Sequence, residues 1–156
     1  MGSNRNDLSL VPNDLSLVPT LVEETLRYES PLQMVFRKVM EDTEVSGTTI
    51  PKGSSVCALL GSANHDERKF PDAERFDLRR DSKRHVALGK GIHFCLGAPL
   101  GRLEARVALE ELIPLLSAQD AIEPDPPMID SYIVRGRSRL LFNEAQSAAA
   151  VSDAAQ

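Results

Sequence analysis

Between Ala87 and Leu103 the chain reads ALGKGIHFCLGAPLGRL, in which Gly89, Gly91 and Gly97 bracket Cys95. A run at helical spacing follows, with Pro99 near its start and Leu100, Leu103 and Val107 behind it. Glycine takes positive φ without strain and lets the backbone come close to a flat partner. Proline suits a first helical turn, so the pattern predicts a loop that presents a sulfur where a helix begins. There the unpaired N–H groups and the macrodipole favour negative charge, which biases a cysteine towards thiolate, the form that binds metal. A thiolate held this way suits the axial position of a haem iron; the plainer alternative is a structural cysteine buried in a turn.

With 156 residues and 42% hydrophobic content the chain can bury one modest core and not two full domains. A net charge of -5 and a pI near 5.2 exclude a general nucleic-acid binder, which is basic over at least one long face. The sequence has no signal peptide and no apolar run of membrane-spanning length, so no membrane is expected. Two cysteines in unrelated contexts, Cys57 and Cys95, fit a reducing cytoplasmic setting. Cys57 falls in the apolar run Val56-Cys57-Ala58-Leu59-Leu60, where a small buried thiol is the ordinary reading.

An exact repeat, NDLSLVP at 6–12 and again at 13–19, marks residues 1–13 as a disordered or artificially appended leader. TLVEETLRYE predicts a short helix over 20–29, with Pro19 before it and Ser30-Pro31 ending it. Within it Glu24 and Arg27 are i,i+3 neighbours, a spacing that by itself supports a surface ion pair worth about 0.2–0.5 kcal/mol. Short β-prone runs at Met34-Val35-Phe36, Thr43-Glu44-Val45, Thr48-Thr49-Ile50 and Ser55–Leu59, with turns at Gly47 and Pro51-Lys52-Gly53, predict a small antiparallel sheet. His65 reads as a surface turn residue. Residues 79–90 then gather five basic residues, Arg79, Arg80, Lys83, Arg84 and Lys90, in an acidic chain. Beside the sulfur loop they suit a docking face for an acidic electron-transfer partner such as a ferredoxin. His93 and Cys95 lack the further ligands that would complete a zinc site. Leu100–Leu116 is the strongest helix, apolar round much of its circumference and so expected to be buried on more than one side. Residues 122–142 predict two short strands about a turn at Gly136, and 143–156, rich in alanine, serine and glutamine, predict disorder.

Leu88-Gly89-Lys90-Gly91-Ile92-His93-Phe94-Cys95-Leu96-Gly97 resembles the F-G-x-G-x-H-x-C-x-G loop of the cytochrome P-450 family, with Leu88 where the family usually has phenylalanine. Glu24-Thr25-Leu26-Arg27 resembles the family's E-x-x-R, and Phe70–Phe76 its meander. The resemblance implies an α+β chain forming the C-terminal, proximal part of that fold over 14–142. Its parts would be a short E-x-x-R helix, small antiparallel sheet, meander, cysteine ligand loop, long buried helix and terminal hairpin. It implies haem b, held through Cys95 as axial iron ligand, in a loop shaped by Gly89, Gly91 and Gly97. Arg37, His85 and His93 would donate to its propionates, and Glu24, Arg27 and Arg75 would brace the loop. Leu32, Gln33 and Met34 are candidates to line a pocket for a small organic substrate. The implied activity is a monooxygenase that inserts one atom of dioxygen into that substrate, with electrons from a redox partner. No A-G-x-[DE]-T pattern occurs, so no catalytic acid-threonine pair is assigned. The alternative is a truncated, non-catalytic haem-binding fragment that self-associates through an uncovered core face.

Overall fold

The computed structural model describes residues 11, 14–115, 121–122, 125–139 and 141–143. The disorder expected over 1–13 and 143–156 lies outside the described residues except at Val11 and Asn143. Both depart from the expectation. Val11 packs in the core with Val18, Val22 and Leu78, and Asn143 belongs to a strand.

A 3-10 turn at Leu15–Leu17, in which the Asp14 carboxylate accepts from the Ser16 N–H at 3.0 Å, leads into α1, Val18–Tyr28. Pro19 sits inside the first turn, where its missing N–H is one the helix would leave unpaired anyway. Val18 and Val22, four residues apart, present one apolar stripe to Leu78 and to Ala105, Leu109 and Ile113. A different face of α1 carries Glu24 and Arg27, both fully buried. These two are the largest fully buried side chains among the described residues, so the interior is organised on a charged pair as much as on apolar contact.

Four strands follow: β1 Met34–Lys38, β2 Thr43–Val45, β3 Thr48–Ile50 and β4 Ser55–Leu59. They form two separate antiparallel ladders rather than the one sheet expected. β1 pairs with β4 from Met34 opposite Leu59 to Lys38 opposite Ser55, and β2 pairs with β3 across the positive-φ turn Ser46-Gly47. The β2–β3 hairpin is exposed almost throughout; its Val45 and Ile50 share one face, on which only Ile50 is partly buried. Cys57 is exposed rather than buried; it lies opposite Phe36, itself 58% exposed, on a face that no described residue covers.

Directly after β4 comes α2, Leu60–Asn64, and then a strandless meander to the cysteine loop. The final helix, α3, spans Ala98–Leu115. Among its residues of described burial only Ala98 is buried; Ala105, Leu109 and Ile113 rest against α1, while Leu103 and Val107 remain 50% and 46% exposed. The expectation of burial on more than one side is corrected to burial on one, because α1 is the sole helix among the described residues that packs along it. The terminal segment also differs from expectation. Gly136 lies on an arm, its carbonyl accepting from the Ile129 N–H at 2.9 Å, and the chain turns over 130–135 instead. Ser131 Oγ accepts from the Ile133 and Val134 N–H groups and so shapes that turn. Outer strands β5, Ala121–Ile122, and β6, Phe142–Asn143, close the hairpin.

Candidate functional site

Arg27 and Glu24 meet in a forked pair: Nε donates to Glu24 Oε2 and Nη2 to Oε1, each at 2.8 Å. The remaining guanidinium hydrogens reach backbone oxygens far along the chain, Nη1 to Asn64 and Ala73 at 2.9 Å and Nη2 to Arg75 at 3.2 Å. Arginine can do this because its five N–H donors lie in one rigid plane. Glu24 in turn accepts from the Asp77 N–H at 2.9 Å, from Ser82 Oγ and from Arg80 Nε at 3.3 Å. Arg75 thus brings its carbonyl to the brace, and the further guanidinium at Glu24 is that of Arg80, which the sequence reading gave to a docking face.

Two buried polar residues that the sequence reading passed over, Asn64 and Ser82, carry this brace towards the cysteine loop. Asn64 Nδ2 donates to Ser30 Oγ at 2.7 Å, while its Oδ1 accepts from the Val86 N–H at 2.8 Å. A buried amide with both ends satisfied is a structural node; the only signal for it in the sequence was its place in a turn before a charged residue. His65 is no free surface residue either, since its ring nitrogens lie 2.9 Å from Glu74 Oε1 and from the Tyr28 carbonyl.

A second polar cluster stands beside the first. The Glu23 carboxylate takes both Arg102 Nε at 2.5 Å and Nη2 at 3.0 Å, and lies 3.2 Å from His85 Nε2. His85 Nδ1 accepts from the Ala87 N–H at 3.1 Å. Both ring nitrogens of His85 are therefore engaged, one by Glu23 and one by the Ala87 N–H. The Glu23 contact satisfies the Nε2 of a buried imidazole whose Nδ1 is already engaged by the Ala87 N–H.

Cys95 sits between these clusters and solvent. Its N–H donates to the Leu88 carbonyl at 2.8 Å and its own carbonyl accepts from the Ala98 N–H at 3.1 Å, which closes the turn and starts α3. Gly89 and Gly91 hold φ of +75° and +63°, in the left-handed region, whereas Gly97 has no positive φ. The side chain of Cys95 is exposed and borders two cavities that share Pro31, Leu88 and Cys95. One, of about 480 Å³, is lined by Leu21, Leu26, Ala105 and Leu109; the other, of about 540 Å³, by Leu32, Val35, Arg37, Lys90 and His93. Such volumes are ordinary for cofactor-sized ligands. Arg37 and His93 thus share one cavity wall with the sulfur, with cationic or donor groups at one end of an otherwise apolar surface. Of the three candidates after α1, only Leu32 lines this cavity; the Gln33 amide donates to the Ser30 carbonyl at 2.6 Å.

The ionisations tie the site to pH. Burial works to raise the Glu24 pKa, but bonds from Arg27, Ser82 and the Asp77 N–H outweigh it and leave the pKa below its ordinary 4.5. Glu23 is lowered in the same way, burial being overcome by Arg102 and His85. Burial lowers His85 below its ordinary 6.5, against the pull of Glu23. A depressed histidine contributes stability that is complete above 6.5 and declines as pH falls towards its folded value; depressed carboxylates contribute stability complete above 4.5 and lost below it. Urea midpoints are therefore expected to fall on acidification first below 6.5 and again below 4.5. A midpoint that stays level between these two values would contradict the buried neutral His85.

The family model described as Cytochrome P450 matches residues 3–142. The Cytochrome P450 monooxygenase PikC of Streptomyces venezuelae is 45% identical over 112 residues, 71% of this chain and 27% of that protein. Cytochrome P450 109 of Bacillus spizizenii is 46% identical over 125 residues, 79% of this chain and 31% of that protein. The chain thus spans less than a third of the length of these two relatives. Among solved structures, Cytochrome P450 CYP109Q5 from Chondromyces apiculatus superposes with a TM-score of 0.78 at 48% identity, covering 87% of this chain and 35% of that one. CYP109E1 from Bacillus megaterium, solved in complex with corticosterone, gives a TM-score of 0.82 at 38% identity, covering 89% of this chain and 38% of that one.

Proposed function

The chain belongs to the cytochrome P450 family, and from that premise we propose that it carries the thiolate side of a haem monooxygenase site, with Cys95 Sγ as the axial iron ligand. The observation that carries this reading is the placement of Cys95: its sulfur opens on two cavities at the start of an 18-residue helix, in a turn bent by glycine. The residues present fit haem b. A Cβ on Gly97 would meet only Cys95 Sγ, at 3.9 Å, so glycine there keeps the approach to the sulfur clear for a flat macrocycle. Arg37 and His93 would donate to the propionates, and Leu32, Val35, Ala58 and Leu60 would cover apolar ring edges. When bound, haem supplies the iron at which dioxygen is activated, and a cysteine thiolate ligand favours cleavage of the O–O bond.

The chain's own residues do the positioning. The turn from Leu88 to Ala98 fixes the sulfur, the Glu24–Arg27 brace holds the segment leading into it, and the apolar side chains of the two cavities would flank the ring. A small organic substrate would receive the oxygen atom. Electrons would come from an acidic ferredoxin-type donor docking at exposed Arg79, Lys83, Arg84 and Lys90, with Arg80 withdrawn to Glu24. Arg79→Glu with Lys83→Glu is expected to slow reduction by such a donor, and an unchanged rate would remove this docking face. Free Cys57 and Cys95 suit the reducing cytoplasm. Among the described residues no helix is long and apolar enough to cross a membrane.

The deciding experiment supplies haem to the purified chain and to Cys95→Ala, then records absorption of the reduced, carbon-monoxide-bound form. A strongly red-shifted Soret band in the parent alone is the expected result. The same spectrum from both proteins would assign the iron to another ligand and overturn the reading.

A further inference from the structure

The Cys95 loop has two ends, and both are tied to one carboxylate. At the near end His85 Nδ1 accepts the Ala87 N–H at 3.1 Å, two residues on, as an Asx side chain does in a turn. Ala87 adjoins Leu88, whose carbonyl takes the Cys95 N–H at 2.8 Å. At the far end Arg102 projects from the second turn of α3 and grips Glu23 through two nitrogens, at 2.5 and 3.0 Å. The opposite ring edge of His85 meets the same Glu23 at 3.2 Å. The side chain of His85 is 2% exposed, that of Glu23 14% and that of Arg102 32%, so solvent reaches the cluster mainly from the arginine side.

From this geometry we propose that Glu23 is a clasp: one carboxylate holds His85 at the near end of the ligand loop and Arg102 at its far end, and so positions Cys95. The Glu24–Arg27 brace cannot do this alone, because it reaches the near end only, through Ser82 and through the Asn64 backbone and amide. The clasp also fixes which tautomer His85 adopts. Nδ1 faces a donor, the Ala87 N–H, and must be bare; Nε2 faces a carboxylate and must carry the proton. A proton on both nitrogens would turn Nδ1 from acceptor into a second donor facing the Ala87 N–H, and would release the loop at that end. The charged groups around the ring are Glu23 on α1, Arg102 on α3 and, further off, Arg27. On its own segment Lys83 and Arg84 point to solvent.

Glu23 acts through other residues and is a positioning residue rather than a catalytic one. Its significance for the iron rests on the proposed function, whereas its hold on the loop does not, so the test is made on the full chain without added haem. Nitrogen-15 NMR of the parent is expected to show His85 protonated at Nε2 and bare at Nδ1. In Glu23→Gln, which keeps shape and removes the charge, the Ala87 and Cys95 amides are expected to exchange about tenfold faster while the β1–β4 amides are unchanged. Added to Glu23→Gln, His85→Asn, whose Oδ1 can accept the Ala87 N–H without a carboxylate to orient it, is expected to restore Ala87 protection. A proton on Nδ1 in the parent, or Ala87 and Cys95 exchange unaltered in Glu23→Gln, would overturn the clasp. Should Glu23→Gln also lose the β1–β4 amides, Arg102→Lys is read by the same two amides. A chain that passes these tests and takes up no haem would overturn the proposed function and leave the clasp standing.

Discussion

Arg27→Met is expected to cost about 3–5 kcal/mol, enough to remove a large share of the stability of a small domain. Methionine matches the arginine stem in bulk, so the loss is not chiefly one of packing. It arises because Glu24, fully buried, would keep its charge with no forked partner, and because the carbonyls of Asn64 and Ala73 would lose the Arg27 donor and that of Arg75 would keep only Arg80. Arg27→Lys is expected to recover little of the loss. A lysine ammonium has three donors and no planar fork, and cannot serve the carboxylate and three separate carbonyls. The diagnostic comparison is Arg27→Met with Glu24→Gln, which removes the stranded charge along with its partner. That double variant is expected to unfold at higher urea than Arg27→Met alone. Additive losses would show that the pair acts by packing and not by charge.

That brace also shows where a sequence is legible and where it is not. The i,i+3 spacing of Glu24 and Arg27 identifies a pair from local geometry alone. Its burial does not, because the carbonyls that complete it lie 37 to 48 residues further on, at the end of a short helix and in the meander after it, with no periodic signal. For the same reason the contacts of Arg80 with Glu24 and of His85 with Glu23 cannot be read from local spacing. A basic run looks solvated until the fold draws one member inward, and nothing in the spacing of His85 shows that its ring meets Glu23, 62 residues earlier. The turn at Gly89 and Gly91 was legible because its requirement is local: a turn of positive φ needs glycine wherever it occurs, a reason that does not extend to Gly97. The length and pattern of α3 were legible too, but its exposure was not, since periodicity reports which faces are apolar and not which faces find a partner. Cys57 and the strand pairing were misjudged on the same ground, as an apolar run does not say whether anything covers it.

Alanine in place of Gly89, Gly91 or Gly97 separates what each glycine does, and the largest loss is expected at Gly89. Its φ of +75° costs a residue with a Cβ about 1–2 kcal/mol, and that Cβ would lie 2.7 Å from the His93 carbonyl oxygen. A backbone atom cannot swing aside as a side chain can. Relief of the contact must move His93 and Phe94, and with them the Cys95 turn whose N–H is anchored on Leu88. Gly91, at φ +63° with nothing within 4 Å, is expected to show the conformational cost alone. Gly97 has neither positive φ nor a close neighbour beyond Cys95 Sγ at 3.9 Å, so Gly97→Ala is expected to leave the urea midpoint nearly unchanged. Haem titration is expected to rank Gly97 differently. The methyl group added there stands beside the sulfur, and uptake should weaken although the fold is intact. Equal urea midpoints for Gly89→Ala and Gly97→Ala would show that the tight turn is not what holds Cys95. Unimpaired haem uptake by Gly97→Ala would show that the macrocycle does not pass over that residue.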